Sequence, residues 1–225
     1  MVTICWAAKG GSGTTVVTAA VALTAPTPTL LVDLDGEIPR VLGIPGPDRP
    51  GVSEWAASPA PASHLDDLLL TLDDERSLLP WRARSSVSPS LHDLDRGRLA
   101  ELARWLRPWQ ASRATPGAGP SVVVDAGTGE PPSELVADAD RVILVTRPCY
   151  LSLNRLSAFT TRPTGVVLVR EPGRSLGPRD VEASAGAPII ATIDYDTAIA
   201  RAVDTGLLAR RVPSAVRREL RALVR

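Results

Sequence analysis

Lysine is nearly absent from this 225-residue chain: of its 25 basic side chains one is lysine, Lys9, and the rest are arginine. Cysteine is as scarce. Cys5 and Cys149, with two histidines and no paired spacing among the four, exclude a disulfide framework and argue against a zinc site, so any metal is expected to be held by oxygen. No run of about 18 apolar residues occurs, which excludes a plain membrane-spanning helix. Residues 1–13 show neither a basic leader nor a cleavage site, and the expected location is the cytoplasm. Basic and acidic residues balance at 25 each, which excludes a protein that coats nucleic acid with its whole surface but leaves room for a local basic patch. What is present, 44% hydrophobic residues, suits a globular chain, and residues 1–225 are expected to form one domain.

A drift toward arginine that spares one position suggests that a compact ammonium on a flexible stem is needed there. Lys9 follows a β-like run at residues 2–8 and opens the loop Lys9, Gly10, Gly11, Ser12, Gly13, Thr14, Thr15, after which residues 16–25 form an apolar, alanine-rich helical segment. Pro26 and Pro28 end that helix, and residues 29–33 read as a second buried strand. Residues 36–64 are rich in Pro, Gly, Ser and Ala, with short helices expected at 52–57 and 65–72, a strand at 78–81 and a longer helix at 96–110. Residues 115–120 read as a loop. Four continuous apolar runs follow, at 121–125, 141–146, 165–169 and 188–193, separated by helix-sized segments at 133–139, 150–159, 179–185 and 198–204. Strands buried on both faces and alternating with helices predict a mostly parallel sheet between helical layers. The five tryptophans carry no stacking motif and are expected in the core or an interface.

A glycine-rich turn between the first strand and the first helix can hold phosphate, because Gly10, Gly11 and Gly13 let backbone amides converge and the helix N-terminus adds positive potential. The hydroxyl of Thr15 at the helix start can then ligate Mg2+, and Asp125, ending a neighbouring strand, can hold a metal-bound water. A lone loop of this kind is equally consistent with close packing of helix on strand. The pair Asp33 and Asp35, taken alone, is consistent with two solvated carboxylates at a strand end.

Lys-Gly-Gly-Ser-Gly-Thr-Thr, with its lysine in front, resembles the deviant Walker A motif of ParA/MinD-type P-loop ATPases. Residues 30–35 (LLVDLD), 121–129 (SVVVDAGTG), 137–153 and 186–208 are similar, in order, to the later motifs of that family, so the resemblance spans essentially the whole chain. It implies a three-layer α/β/α P-loop NTPase fold with a mostly parallel, roughly seven-stranded sheet. It implies ATP and Mg2+ as cofactors, with ATP held by Gly10, Gly11, Ser12, Gly13, Thr14 and Thr15, and Gly129 in the switch after the Walker B strand. Thr15 would ligate Mg2+, Asp125 would orient its water shell, Asp33 would support the loop, and Asp35 would position the attacking water. Lys9 would reach the partner's phosphates in a homodimer closed around nucleotide.

The sequence also departs from the pattern. Thr14 stands where the family has a second lysine, and losing a cation at a developing phosphoryl charge costs on the order of 10²–10³ in rate, so at most a weak ATPase is implied. That loss resembles the CpaE/TadZ-like subgroup, which places pilus secretion machinery at a cell site; a division-site regulator, a chromosome or plasmid positioner, and a non-hydrolysing scaffold are the other readings. Val169 and Asp194 replace an asparagine and a proline near the base, which leaves base specificity open. Residues 201–225 carry seven arginines, with Val216, Leu220, Leu223 and Val224 at helical spacing. Such a segment can bind an anionic membrane surface or DNA, with location at the inner membrane face or a cell pole, or cover the sheet and leave its arginines in water, the commoner outcome. A protein partner is expected.

Overall fold

A computed structural model describes residues 1–45, 49–81, 90–112, 120–210 and 212–223. The described residues build an eight-stranded sheet in the order β3-β4-β2-β5-β1-β6-β7-β8. The strands are β1 (Val2–Ala7), β2 (Thr29–Asp33), β3 (Leu70–Thr71), β4 (Arg76–Leu79), β5 (Ser121–Thr128), β6 (Arg141–Thr146), β7 (Gly165–Arg170) and β8 (Ile189–Asp194). Every neighbouring pair is parallel except β3 with β4. The expected seven-stranded sheet is thus extended by one two-residue antiparallel edge strand.

Alternate residues of the same strands feed two separate cores. Ile4, Trp6, Val32, Val124 and Leu144 face one side, where α3 (Val52–Ala56), α4 (Arg96–Ser112), α5 (Ser133–Ala137), α6 (Tyr150–Leu156) and α7 (Pro178–Ala185) supply Trp55, Leu102, Leu135, Leu153 and Val181. Cys5, Leu31, Val123, Ile143 and Val167 face the other, covered by α1 (Thr14–Thr24), α2 (Ile38–Leu42) and the C-terminal segment. Burial on both faces is the physical reason that the strands read as unbroken apolar runs. Alanines 19, 20 and 22 let α1 lie close against the sheet. All five tryptophans are buried, and Trp6 meets Phe159 edge-on at 5.7 Å.

The remaining helices, α8 (Thr197–Asp204) and α9 (Ser214–Glu219), close the α1 side. Val216, Leu220 and Leu223 are buried there while Arg217, Arg218 and Arg221 stay exposed, so the apolar stripe of the tail covers the sheet. Val224 lies outside the described residues, as does most of the loop expected at 115–120. Among the described residues no helix is long and apolar enough to cross a membrane.

Three local expectations are corrected. The helix placed at 65–72 is a 3-10 helix at Ala62–Leu68 followed by β3, because Leu65 alone is buried and Leu70 is drawn into pairing with Leu78. The strand placed at 78–81 is β4, shifted back by pairing of Arg76 with Thr29. Helix α2 sits where a Pro- and Gly-rich loop was expected: Pro39 occupies the first turn, where its missing N–H costs nothing, and Gly43 ends the helix at φ 68°.

Candidate functional site at the carboxyl edge of the sheet

Chain order reverses around β1, which lies between β5 and β6, and in open α/β sheets ligands settle beyond the carboxyl ends of the strands at such a point. The glycine loop leaves β1 here. The Ser12 hydroxyl donates to the Lys9 carbonyl at 2.8 Å and closes the turn. Gly13 then enters α1 at φ 89°, a left-handed conformation that glycine adopts without steric cost. No side chain caps α1 and no acidic residue lies in its first turn, so its N-terminal amides and their positive potential stay open to an anion. A Cβ at Gly10 would lie 3.8 Å from the Thr128 hydroxyl and one at Gly13 would lie 4.0 Å from Val169, which seats the loop between the ends of β5 and β7.

Lys9 is half-buried, its ammonium 3.5 Å from the Gly10 carbonyl. Thr14 is buried, and its carbonyl accepts from the Thr18 hydroxyl at 2.8 Å. Lys9 is therefore the one cation within residues 9–15.

Beneath the loop, Asp33 and Asp125 are both fully buried and directly paired in register on β2 and β5. One oxygen of Asp33 accepts the amides of Gly36 (2.7 Å) and Asp35 (3.1 Å), and one oxygen of Asp125 accepts the Gly127 amide (3.1 Å). The second oxygen of each is buried without a partner. Burial raises the Asp33 carboxyl to about 6 against those amides. Burial, then the neighbouring charge of Asp33, raises Asp125 to about 7, while the nearby Thr15 hydroxyl and the Gly127 amide pull the other way. The structure thus sets the Thr15 hydroxyl close to Asp125. An orphaned carboxylate oxygen beside a hydroxyl suits a hydrated Mg2+, which takes one or two protein oxygens and completes its shell with water and phosphate. Among the described residues no group of three or more His, Cys, Asp or Glu could hold a metal by itself.

Asp35 is exposed above this pair and leans on Gly127, where a Cβ would come within 2.3 Å of its Oδ1. Partial burial, then the charge of Glu37, raises its carboxyl. Asp35 lines a cavity of about 330 Å³ with Arg40, Trp81, Ser90, His92 and Thr128. Gly129 follows at φ 111°, and a Cβ there would sit 2.7 Å from His92 Nε2. His92 carries no sequence signal for this position; only the fold sets it against the end of β5.

On the other side of the loop, Gly13, Val16, Val169, Ile193, Tyr195 and Ile199 line an apolar cavity of about 260 Å³. Asp194 stands at its edge, bound by Arg170 at 2.6 Å. Arg147 also reaches the cavity, from the turn after β6; it pairs with Glu171, and its guanidinium lies 5.9 Å from the Tyr195 ring. Both lie in segments, 137–153 and 186–208, that resemble family motifs, but only the fold brings them to one cavity.

The architecture recurs among solved structures. MinD from Pyrococcus horikoshii OT3, complexed with Mg-ADP, matches with a TM-score of 0.71 over 99% of this chain and 93% of that one, at 21% identity. A ParA family ATPase from Chlorobium tepidum TLS matches at 0.69, over 98% of both chains, at 17% identity. A McdA variant from Cyanothece, in complex with ATP, matches at 0.68, over 99% and 96%, at 17% identity. The chain has the MinD/ParA fold. No protein-family model and no curated protein matches it. The MinD/ParA fold accounts for the strand order and for the place of the glycine loop at the sheet's carboxyl edge.

Proposed function

We propose that this chain is a ParA/MinD-type ATPase, one nucleotide-binding unit over residues 1–225, that works as a spatial switch: ATP with Mg2+ favours a homodimer, and slow or partner-stimulated hydrolysis returns it to monomer. The observation that carries this reading is the open N-terminus of α1 next to Thr15 and Asp125, with the second oxygen of Asp125 buried and without a partner among the described residues. Backbone amides of Gly10, Gly11, Ser12, Gly13, Thr14 and Thr15 would cradle the phosphates, and Thr15, with Asp125 through water, would hold Mg2+. Bound Mg2+ supplies charge neutralisation at the phosphates. Asp33, which holds the 35–36 turn, would support the loop from β2, Gly129 would serve the switch after β5, and Asp35 would orient a water. Lys9, the loop's single cation, would reach the phosphates bound by the partner copy. The solved structures of similar fold include MinD, MinC:MinD, McdA and a putative plasmid partition protein, which supports a positioning role for this chain. A CpaE/TadZ-like role in placing a pilus secretion machine fits the missing second lysine, and the exposed Arg217, Arg218 and Arg221 offer a basic surface to anionic membrane or DNA, at the inner membrane face or a cell pole.

Calorimetry with ATP and Mg2+, read beside dimer mass by light scattering, tests the switch. Wild type should bind and dimerise together, and Lys9→Ala should bind but stay monomeric. A second reading, a scaffold that never hydrolyses, is favoured by the uncharged Thr14, which leaves Lys9 as the one cation within residues 9–15. A dimer of the same mass with and without nucleotide would select it and discard the switch.

A further inference from the structure

No residue of α8 is fully buried, and the face it turns away from the cavity beside Gly13 borders a groove of about 650 Å³ between α8 and α9. The floor is apolar, from Ala198, Ala202, Val212 and Pro213, with Leu207 nearly half exposed at its margin. Arg201 on α8 and Arg217 on α9 line it as well; both are exposed, and neither makes an ion pair among the described residues. The acidic groups of these helices are placed elsewhere: Asp196 and Asp204 border the cavity on the far side of α8, and Glu219 binds Arg218 at 3.1 Å. Phosphates of a membrane or of DNA would meet the arginines but leave the apolar floor uncovered, and the tail's own apolar stripe is spent on the core and cannot enter lipid. A protein segment with carboxylates beside apolar side chains fits both parts of the groove.

This chain carries such a segment at the other end of its sheet. Residues 66–75 hold five acidic side chains and no basic one. The Arg76 carbonyl accepts the Leu72 amide at 2.9 Å and closes a tight turn between β3 and β4. Asp73 is engaged by Arg76 and by the Glu75 amide, but the side chains of Asp74 and Glu75 stand exposed at the tip without a partner among the described residues, next to a half-buried Leu72. β3 is the outermost strand at one end of the sheet, whereas α9 packs on β8 at the other, and the turn is not among the residues that line the groove of its own molecule. A formal net charge of zero leaves no long-range repulsion between copies.

We propose that the groove between α8 and α9 receives the acidic β3–β4 turn of a second copy of this chain, with Arg201 and Arg217 facing Asp74 and Glu75. The two surfaces differ, so the contact is heterologous, and its repetition builds an open row or a ring of copies. It needs no nucleotide. Exposed ion pairs contribute little each and are screened by salt, so the association is weak and salt-sensitive. Light scattering on the full chain without nucleotide, at about 100 µM protein, should give at least about twice the monomer mass at about 20 mM salt and the monomer mass at about 500 mM. The high-salt condition also isolates any nucleotide-dependent dimer, so failure of the switch and failure of this contact are read separately. The double variants Asp74→Arg/Glu75→Arg and Arg201→Glu/Arg217→Glu, with circular dichroism to check their fold, should each be monomeric at low salt, because like charges then face each other. Mixed in equal amounts they should associate again, since the reversed turn of one fits the reversed groove of the other. A wild type that stays monomeric at low salt, a double variant that associates as the wild type does, or a mixture that stays monomeric would overturn the proposal. So would a monomeric chain whose binding to phosphatidylglycerol vesicles or duplex DNA is lost on Arg201→Glu/Arg217→Glu, which would give the groove to another occupant.

Discussion

Asp33 and Asp125 stand side by side in register on β2 and β5, and each keeps one buried carboxylate oxygen without a partner. Their carboxyls are raised to about 6 and about 7 from an ordinary 3.8. The native state therefore holds protons that the unfolded chain has released, and stability falls as pH rises from about 4 through 7. At about 1.4 kcal/mol per unit, a few kcal/mol are involved. The ligand-free protein should melt at a lower temperature at pH 8 than at pH 5, and Asp125→Asn should flatten the profile and raise the melting temperature at pH 8. A wild-type profile as flat as the variant's would refute this account.

On the proposed reading the same pair would make cation binding a proton-releasing event. If Asp125 holds Mg2+ through water as proposed, it must be ionised to do so, and binding below pH 7 should liberate a proton and weaken as the pH falls. Calorimetry in two buffers of different ionisation enthalpy reads the released proton directly. Asp125→Asn should lose the release together with at least tenfold in Mg2+-dependent affinity.

Thr14 lies at the first position of α1, where the anion would sit, and brings no charge. Thr14→Lys should raise phosphate release, by up to the 10²–10³ that a preorganised cation supplies. An unaltered rate in a variant that still binds nucleotide would show that turnover is limited elsewhere.

Gly127 gives Asp35 its seat. A methyl group would collide with the carboxylate at 2.3 Å and would also strain a backbone at φ 67°. Gly127→Ala should cost roughly 1–2 kcal/mol in urea unfolding and should lower any hydrolysis more than it lowers nucleotide affinity. An equal loss in both would assign Asp35 to binding rather than to water placement.

Gly13→Ala meets open space apart from Val169 at 4.0 Å, but its φ of 89° penalises any side chain. A loss of roughly 1–2 kcal/mol in stability is expected, with weaker nucleotide binding because the amides of the loop turn away. Chemical denaturation and mant-ADP titration measure the two effects separately.

Most strands were legible because burial on both faces writes each as an apolar run of strand length; β6 falls at 141–146, as read. Helix α2 was hidden by Pro39, and β3 by being two residues long at an edge. At the site, Thr15 announced itself by following a glycine turn and Asp33 by the family resemblance, whereas Asp125, read as a strand end, lies inside β5, which runs on to Thr128. His92 beside Gly129, Asp35 on Gly127 and Arg147 near Tyr195 did not, because each contact joins elements far apart in the chain.

By itself the sequence determined the alternation of strand and helix, the glycine turn with one lysine, and the hydroxyl that follows it, all features with a local or periodic cause. Tertiary structure decided what could not be periodic. It set Asp33 against Asp125 and desolvated both, spent the apolar stripe of the tail on the sheet while leaving arginines in water, and tied up Arg147, Asp194 and Asp196 around an apolar cavity. Protonation, burial and hydrogen-bond commitment depend on neighbours brought together by the parallel crossovers, and no short stretch of chain contains them.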